Sequence, residues 1–210
     1  MRFPAFLSAV FLLGCVSTGG TSGRSVRGLT LHSPRLPSAD IHIQKGFRYL
    51  GRFSYSLEGG FEGERFVFVD AQDRSLNRLV IVHFEQVKPG SAEVYRYDFG
   101  GAQKIGSHAF NQNCFSFSGA REIVSHPHDE GEMTNNFLLE HGLDPPKLWL
   151  VSRYVTLGAS DRKSELIVFY MEGSDRLQPS DLNQDDKPTA LWTAMKSELA
   201  ARGRAAFAIN

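Results

Sequence analysis

The chain has 210 residues, of which 41% are hydrophobic and 22% charged, enough apolar mass for one ordinary domain and too much for global disorder. Lys plus Arg equals Asp plus Glu at 23 each, which argues against non-specific nucleic-acid binding, since that needs a basic surface to displace counterions. No apolar run reaches the roughly 18 residues that a membrane-spanning helix needs.

In chain order, the first informative stretch is residues 1–14. Arg2 and the amino terminus form a small positive region, and Phe3 to Leu13 is an apolar segment of signal-peptide length. It ends in Leu12-Leu13-Gly14-Cys15 and gives way to small, flexible residues. This resembles the lipobox of bacterial lipoproteins, a likeness confined to about the first twenty residues. The resemblance implies cleavage behind Gly14, a diacylglycerol thioether on Cys15, palmitate-type acylation, and a cell-envelope location. Val16 rather than Asp after the cysteine implies delivery to the outer membrane, facing the periplasm. Cys15 and Cys114 are the only cysteines, so lipidating Cys15 leaves one thiol, and the competing arrangement is a Cys15–Cys114 disulfide. Residues 15–39 are rich in Ser, Thr, Gly, Pro and Arg and read as the lipidated residue and a flexible tether.

Residues 40–210 read as a single globular domain. Phe47, Tyr49, Phe53, Tyr55 and Leu57 alternate with polar residues at the strand period, and Gly59, Gly60 and Gly63 mark a turn. Phe66 to Val69 is a second strand, stopped by Asp70 to Asp73. Leu79 to Val87 is apolar on both faces and reads as a central strand covered on both sides. Val94 to Phe99 and residues 108–118 continue the strand series. Glu132 to His141 fits a short helix with Phe137 and Leu138 buried and Gly142 as its cap. Leu148 to Leu157 and Leu166 to Met171 form a hairpin. An acidic loop, Asp181 to Pro188, leads into a helix from Thr189 to Phe207, with Leu191, Trp192, Met195, Leu199 and Ala206 near helical spacing.

This order is met by an α+β fold, an antiparallel sheet of five to seven strands with a short helix and the C-terminal helix packed on one face. The alternative is a small lipocalin-like barrel closed by the last helix.

His126-Pro127-His128-Asp129 is the densest ligand-type cluster, a candidate metal site of His126, His128 and Asp129, with Cys114 and His108 upstream. The alternative is an exposed loop whose Asp129, Glu130 and Glu132 favour a helix N-terminus. Asp181-x-Asn183-x-Asp185-Asp186 opens like a calcium loop, but Asp186 and Trp192 stand where such a loop needs Gly and Glu. Ser160-x-x-Lys163 lacks the accompanying motifs of penicillin-recognising enzymes, and no other catalytic signature is present. Within strands, His83 and Glu85 share a face, and Arg153 invites an ion pair with Glu85 or Glu172. Together with Trp149 and Tyr154 these form a candidate ligand pocket of His83, Glu85, Trp149, Arg153 and Tyr154. The functional expectation is a lipid-anchored, non-catalytic binding or envelope-support protein, its partners the membrane lipid and an envelope protein or small ligand. A hydrolase using His83 and Glu85 or the His126/His128 cluster, and a carrier of lipid or apolar ligand, are the alternatives.

Overall fold

The computed structural model describes residues 23–57, 60–118, 130–158, 160–184 and 187–210. Cys15, the lipobox, Gly59, Asp185 and Asp186, and the whole His126, His128 and Asp129 cluster lie outside these residues.

Long alternating runs build the main sheet. It holds β4 (Arg48–Leu57), β5 (Phe61–Gln72), β6 (Ser75–Val87), β7 (Gln103–Ile105), β8 (His108–Ser118), β9 (Leu148–Leu157) and β10 (Ser164–Ser174). Their spatial order is β4-β5-β6-β10-β9-β8-β7, every pairing antiparallel. The outer strands β4 and β7 do not meet in this order, so the sheet stays open and the barrel alternative falls away. β6 is central and doubly covered, as its composition predicts. Val80, Val82 and Phe84 enter one core with Phe66, Phe68, Leu166 and Val168, whereas Leu79 and Ile81 enter a second with Val67, Trp149 and Val151.

Among the described residues, the two helices of more than one turn divide between these faces. Helix α1 (Glu130–Glu140) lays Phe137 and Leu138 on the Leu79 face and ends at Gly142 with φ +74°. After the short α2 (Pro179–Leu182) and the small pair β11 (Asn183–Gln184) and β12 (Lys187–Pro188), helix α3 (Ala190–Ala205) packs on the Val80 face through Trp192 and Leu199. Thr189 caps it by accepting from the Trp192 amide at 3.1 Å. Two apolar faces on one sheet need two covers, so the C-terminal helix and the short helix cannot both serve the same side.

The tether expectation is overturned for residues 25–39. β1 (Ser25–Arg27), β2 (Thr30–Ser33) and β3 (Ala39–Ile43) join the terminal strand β13 (Phe207–Ile209) in a second sheet, ordered β1-β2-β3-β13, which shares the Val80-face core. Leu31 and Ile41 are wholly buried there. Arg24 lies 3.9 Å over the Phe84 ring. The helix likewise stops short of its expected end, because Phe207 pairs with Ile43 as strand. Residues 94–99 form no strand. Arg162 holds that segment instead, donating from Nε to the Tyr95 carbonyl (2.7 Å) and from Nη2 to the Tyr97 carbonyl (3.2 Å). These two carbonyls are satisfied by a side chain, and the Tyr95 amide by the Arg162 carbonyl at 2.9 Å.

Candidate functional site

The Leu79 face is apolar along β6 until it reaches His83 and Glu85, where polar groups from six segments converge. Register aligns them. Arg65 on β5 pairs with His83, while Tyr55, Gly63, Glu85 and Glu165 form one row across β4, β5, β6 and β10. Gly63 is the enabling residue, since a Cβ there would stand 2.3 Å from the Tyr55 hydroxyl. Without a side chain on β5, the Tyr55 ring crosses it and reaches β6.

The hydrogen bonds have a determined direction. Arg65 has no acceptor, so its Nε–H donates to His83 Nδ1 (3.0 Å) and leaves the imidazole proton on Nε2. That Nε2 donates to the Tyr55 oxygen (3.0 Å), and the Tyr55 hydroxyl donates to Glu85 Oε2 (2.7 Å). The Tyr95 hydroxyl donates to Glu85 Oε1 at 2.8 Å. The Arg65 guanidinium also donates to the Glu130 carbonyl (2.7 Å), to Thr134 Oγ1 (2.6 Å) and to the Glu130 carboxylate.

Charge follows from burial and these partners. Complete burial, helped by Arg65, lowers His83 to about 3, so the ring is neutral. Burial raises Glu85 to about 7 against the opposing pull of the Tyr55 hydrogen bond, and the neighbouring Glu130 raises it further. Burial also pushes Glu130 up, but the Arg65 charge outweighs it and holds the carboxyl below the usual range. Glu165 is raised to about 8 by burial, which the Tyr97 hydroxyl only partly offsets. Its Oε2 is buried without a hydrogen-bond partner. Burial, with Glu130 and Glu85, lifts the Tyr55 phenol far above its ordinary range, so it stays protonated.

His83, Glu85 and Glu130 bring one ligand atom each within 4.8 Å of one another, a donor set that suits a divalent ion. Arg65 opposes that use. It fixes the proton on Nε2, the nitrogen turned toward Glu85, and its guanidinium already neutralises Glu130. The fixed cation stands in for the mobile one.

Beside this cluster runs an apolar groove of about 550 Å³ between the sheet and α1. Leu79, Ile81, Trp149, Val151, Phe169 and Met171 line it from the strands, with Phe115 and Phe117 of β8. Arg65, Glu130, Thr134 and Asn135 form its polar part. Phe169 is the wall between the two regions, edge-on to His83 with ring centres 6.0 Å apart. Asn135 is buried, and its Nδ2 has no hydrogen-bond partner. A second cleft, about 720 Å³, is lined by Tyr55 and Glu85 together with mixed charges including Arg24, Arg35, Glu62 and Glu64.

Of the residues singled out from sequence, His83 and Glu85 meet in the cluster and Trp149 floors the groove. Arg153 shares that face but bonds Asn113 Oδ1 (3.0 Å) and lies over Phe115, so neither expected ion pair forms. Glu172 is taken instead by Arg202 on α3, at 2.6 and 3.0 Å. Tyr154 is a correction. It points to the opposite face and donates to the Ala200 carbonyl (2.6 Å), because one step along a strand reverses the side. Cys114 also belongs to the α3 face, donating toward the Lys196 carbonyl. Sequence reasoning missed Tyr55, Arg65, Glu130, Asn135 and Glu165 as site residues. The one available signal was a charged pair, Glu64-Arg65, abutting the apolar run from Phe66.

Comparison with protein-family models, with curated proteins and with solved structures gives no match. No helix among the described residues is long and apolar enough to cross a membrane.

Proposed function

We propose that this chain is a lipid-anchored protein of the bacterial envelope, outer-membrane bound and facing the periplasm, whose folded domain binds a small apolar-bodied ligand without catalysing its conversion. The groove under α1 carries the reading. It is a groove of about 550 Å³ lined mostly by apolar side chains of the sheet, with Arg65, Glu130, Thr134 and Asn135 as its polar part among the described residues. Its size and aromatic lining suit a small-molecule site. The anchor rests on Leu12-Leu13-Gly14-Cys15, with diacylglycerol on Cys15 as the membrane contact.

Acid–base catalysis by Glu85 and Glu130 is the second reading, supported by their opposite displacements from the ordinary carboxylate range. Binding is preferred because both Glu85 oxygens already accept phenolic protons. Native mass spectrometry of gently purified protein separates these readings. A retained apolar adduct that Val151→Trp expels supports binding, and an empty domain in every preparation sinks it. The intact mass of the mature chain tests the anchor, with Cys15→Ser expected to abolish the lipid increment.

A further inference from the structure

Folding of the N-terminal strands shortens the link to the anchor. Strand β1 begins at Ser25 and Gly23 already lies against the fold, so residues 16–23 are all that separates it from Cys15. Fully extended, a link of that length spans at most about 28 Å. A domain of this size is roughly 40 Å across, so the link cannot pass round it, and the side bearing Gly23 is the side kept nearest the lipid. That side presents the loop between β2 and β3, residues 34–38. A Cβ on Gly23 would stand 3.7 Å from Pro34 Cγ and 4.0 Å from Arg35 Nε. The loop is held from within. Arg24 donates from Nη2 to the Leu36 carbonyl (3.1 Å) and from Nε to Ser33 Oγ (3.0 Å), which itself lies 3.0 and 3.1 Å from the Arg35 and Pro37 carbonyls. Leu36 is turned outward on this fixed loop, at 56% the most exposed large hydrophobic among the described residues, and Arg35 is exposed beside it.

We propose that the face carrying Gly23, Arg35 and Leu36 lies on the phospholipid bilayer, with the Leu36 side chain below the headgroups and the Arg35 guanidinium at the phosphates. An apolar tip beside a long cationic side chain suits that boundary, because the guanidinium pairs with phosphate while its stem stays in apolar surroundings. The charges lining the adjoining cleft are mixed, Arg24, Arg35 and Lys163 with Glu62, Glu64 and Asp161, which points to apolar insertion rather than attraction to anionic lipid as the driving force. That cleft, of about 720 Å³, shares Arg35 and Leu36 with the loop and so opens at the membrane surface. This orientation rests on the reading of Cys15 as the lipidated residue and adds to it which face meets the lipid.

The test is Leu36→Trp in the full-length lipidated chain, reconstituted in phosphatidylcholine vesicles with brominated acyl chains, which quench a tryptophan only where it meets the acyl region. Leu139 on α1 and Leu191 on α3 are exposed to 50% and 48%, so Leu139→Trp and Leu191→Trp are matched controls. The parent chain gives the signal of the buried Trp149 and Trp192, which is subtracted. The Leu36→Trp fluorescence is expected to be quenched at least about threefold more than that of either control. Equal quenching of the three, or none in Leu36→Trp, overturns the orientation, while a diacylglycerol increment in the intact mass of the same preparation leaves the anchor standing. A blue-shifted, unquenched Leu36→Trp emission that depends on protein concentration gives the face to a second copy of the chain and overturns the orientation as well. A mature mass without diacylglycerol removes the anchor and the orientation with it.

Discussion

Arg65 is where several demands meet in one side chain. It satisfies His83 Nδ1, closes the first turn of α1 through Thr134 and the Glu130 carbonyl, and neutralises the Glu130 carboxylate. Arg65→Met would leave a mostly buried carboxylate without its cation, and the expected loss is about 3 kcal/mol in a denaturant titration. A loss under about 1 kcal/mol would show that Glu130 relaxes into solvent. The raised carboxyls also set a pH dependence. Glu85 and Glu165 hold protons in the folded state from the ordinary 4.5 up to about 7 and about 8, so the fold binds more protons than the unfolded chain across that window. Their contribution is complete below about pH 4.5 and is lost as pH rises through 7 and 8. His83 acts oppositely between about 3 and its ordinary 6.5, which confines the clean signal to higher pH. Stability should therefore fall between pH 6.5 and 8.5, and the double variant Glu85→Gln, Glu165→Gln should flatten that fall. A slope unchanged by the pair would place the titrating groups elsewhere.

At the scale of elements, the site depends on one strand making room for another's side chain. Gly63→Ala puts a methyl where the Tyr55 hydroxyl passes, so it is expected to destabilise by about 1–3 kcal/mol. The same change beside Tyr55→Ala should cost much less, because the obstructed ring is gone. Additive penalties in that double-mutant cycle would mean that the glycine serves the backbone alone. Strand alternation made His83 and Glu85 visible as a pair on one face, and the doubly apolar β6 readable as central. It could not place Tyr154 with them, since Tyr154 is one residue past Arg153 and faces α3. The ion partner of Glu172 was equally hidden. Arg202 belongs to a helix 30 residues onward, and helix-to-sheet docking leaves no mark in either segment's own periodicity.

For the whole molecule, the second sheet makes the N-terminal segment part of the fold. β2 and β3 cover the Val80 face, and β13 returns the chain's end to β3 with Ile209 opposite Ile41. Leu31→Ala should cost about 3 kcal/mol by thermal or chemical unfolding, the loss expected from a fully buried leucine. A flexible tether would register almost nothing. The segment escaped sequence reasoning because its strands have three to five residues, too short for a periodic signal amid Ser, Gly and Pro.

The sequence by itself determined the α+β class, the doubly covered central strand, the β9–β10 hairpin and the terminal helix beginning near Thr189. These are local properties, in which side-chain period and capping residues act over a few positions. The tertiary structure alone decided that Tyr55, Arg65, His83, Glu85 and Glu130 share a site and that a groove opens beside them. Arg65 and Glu130 stand 65 residues apart, joined only when α1 crosses the sheet. Strand register and helix docking made that meeting, and both arise from contacts between segments rather than from any one of them.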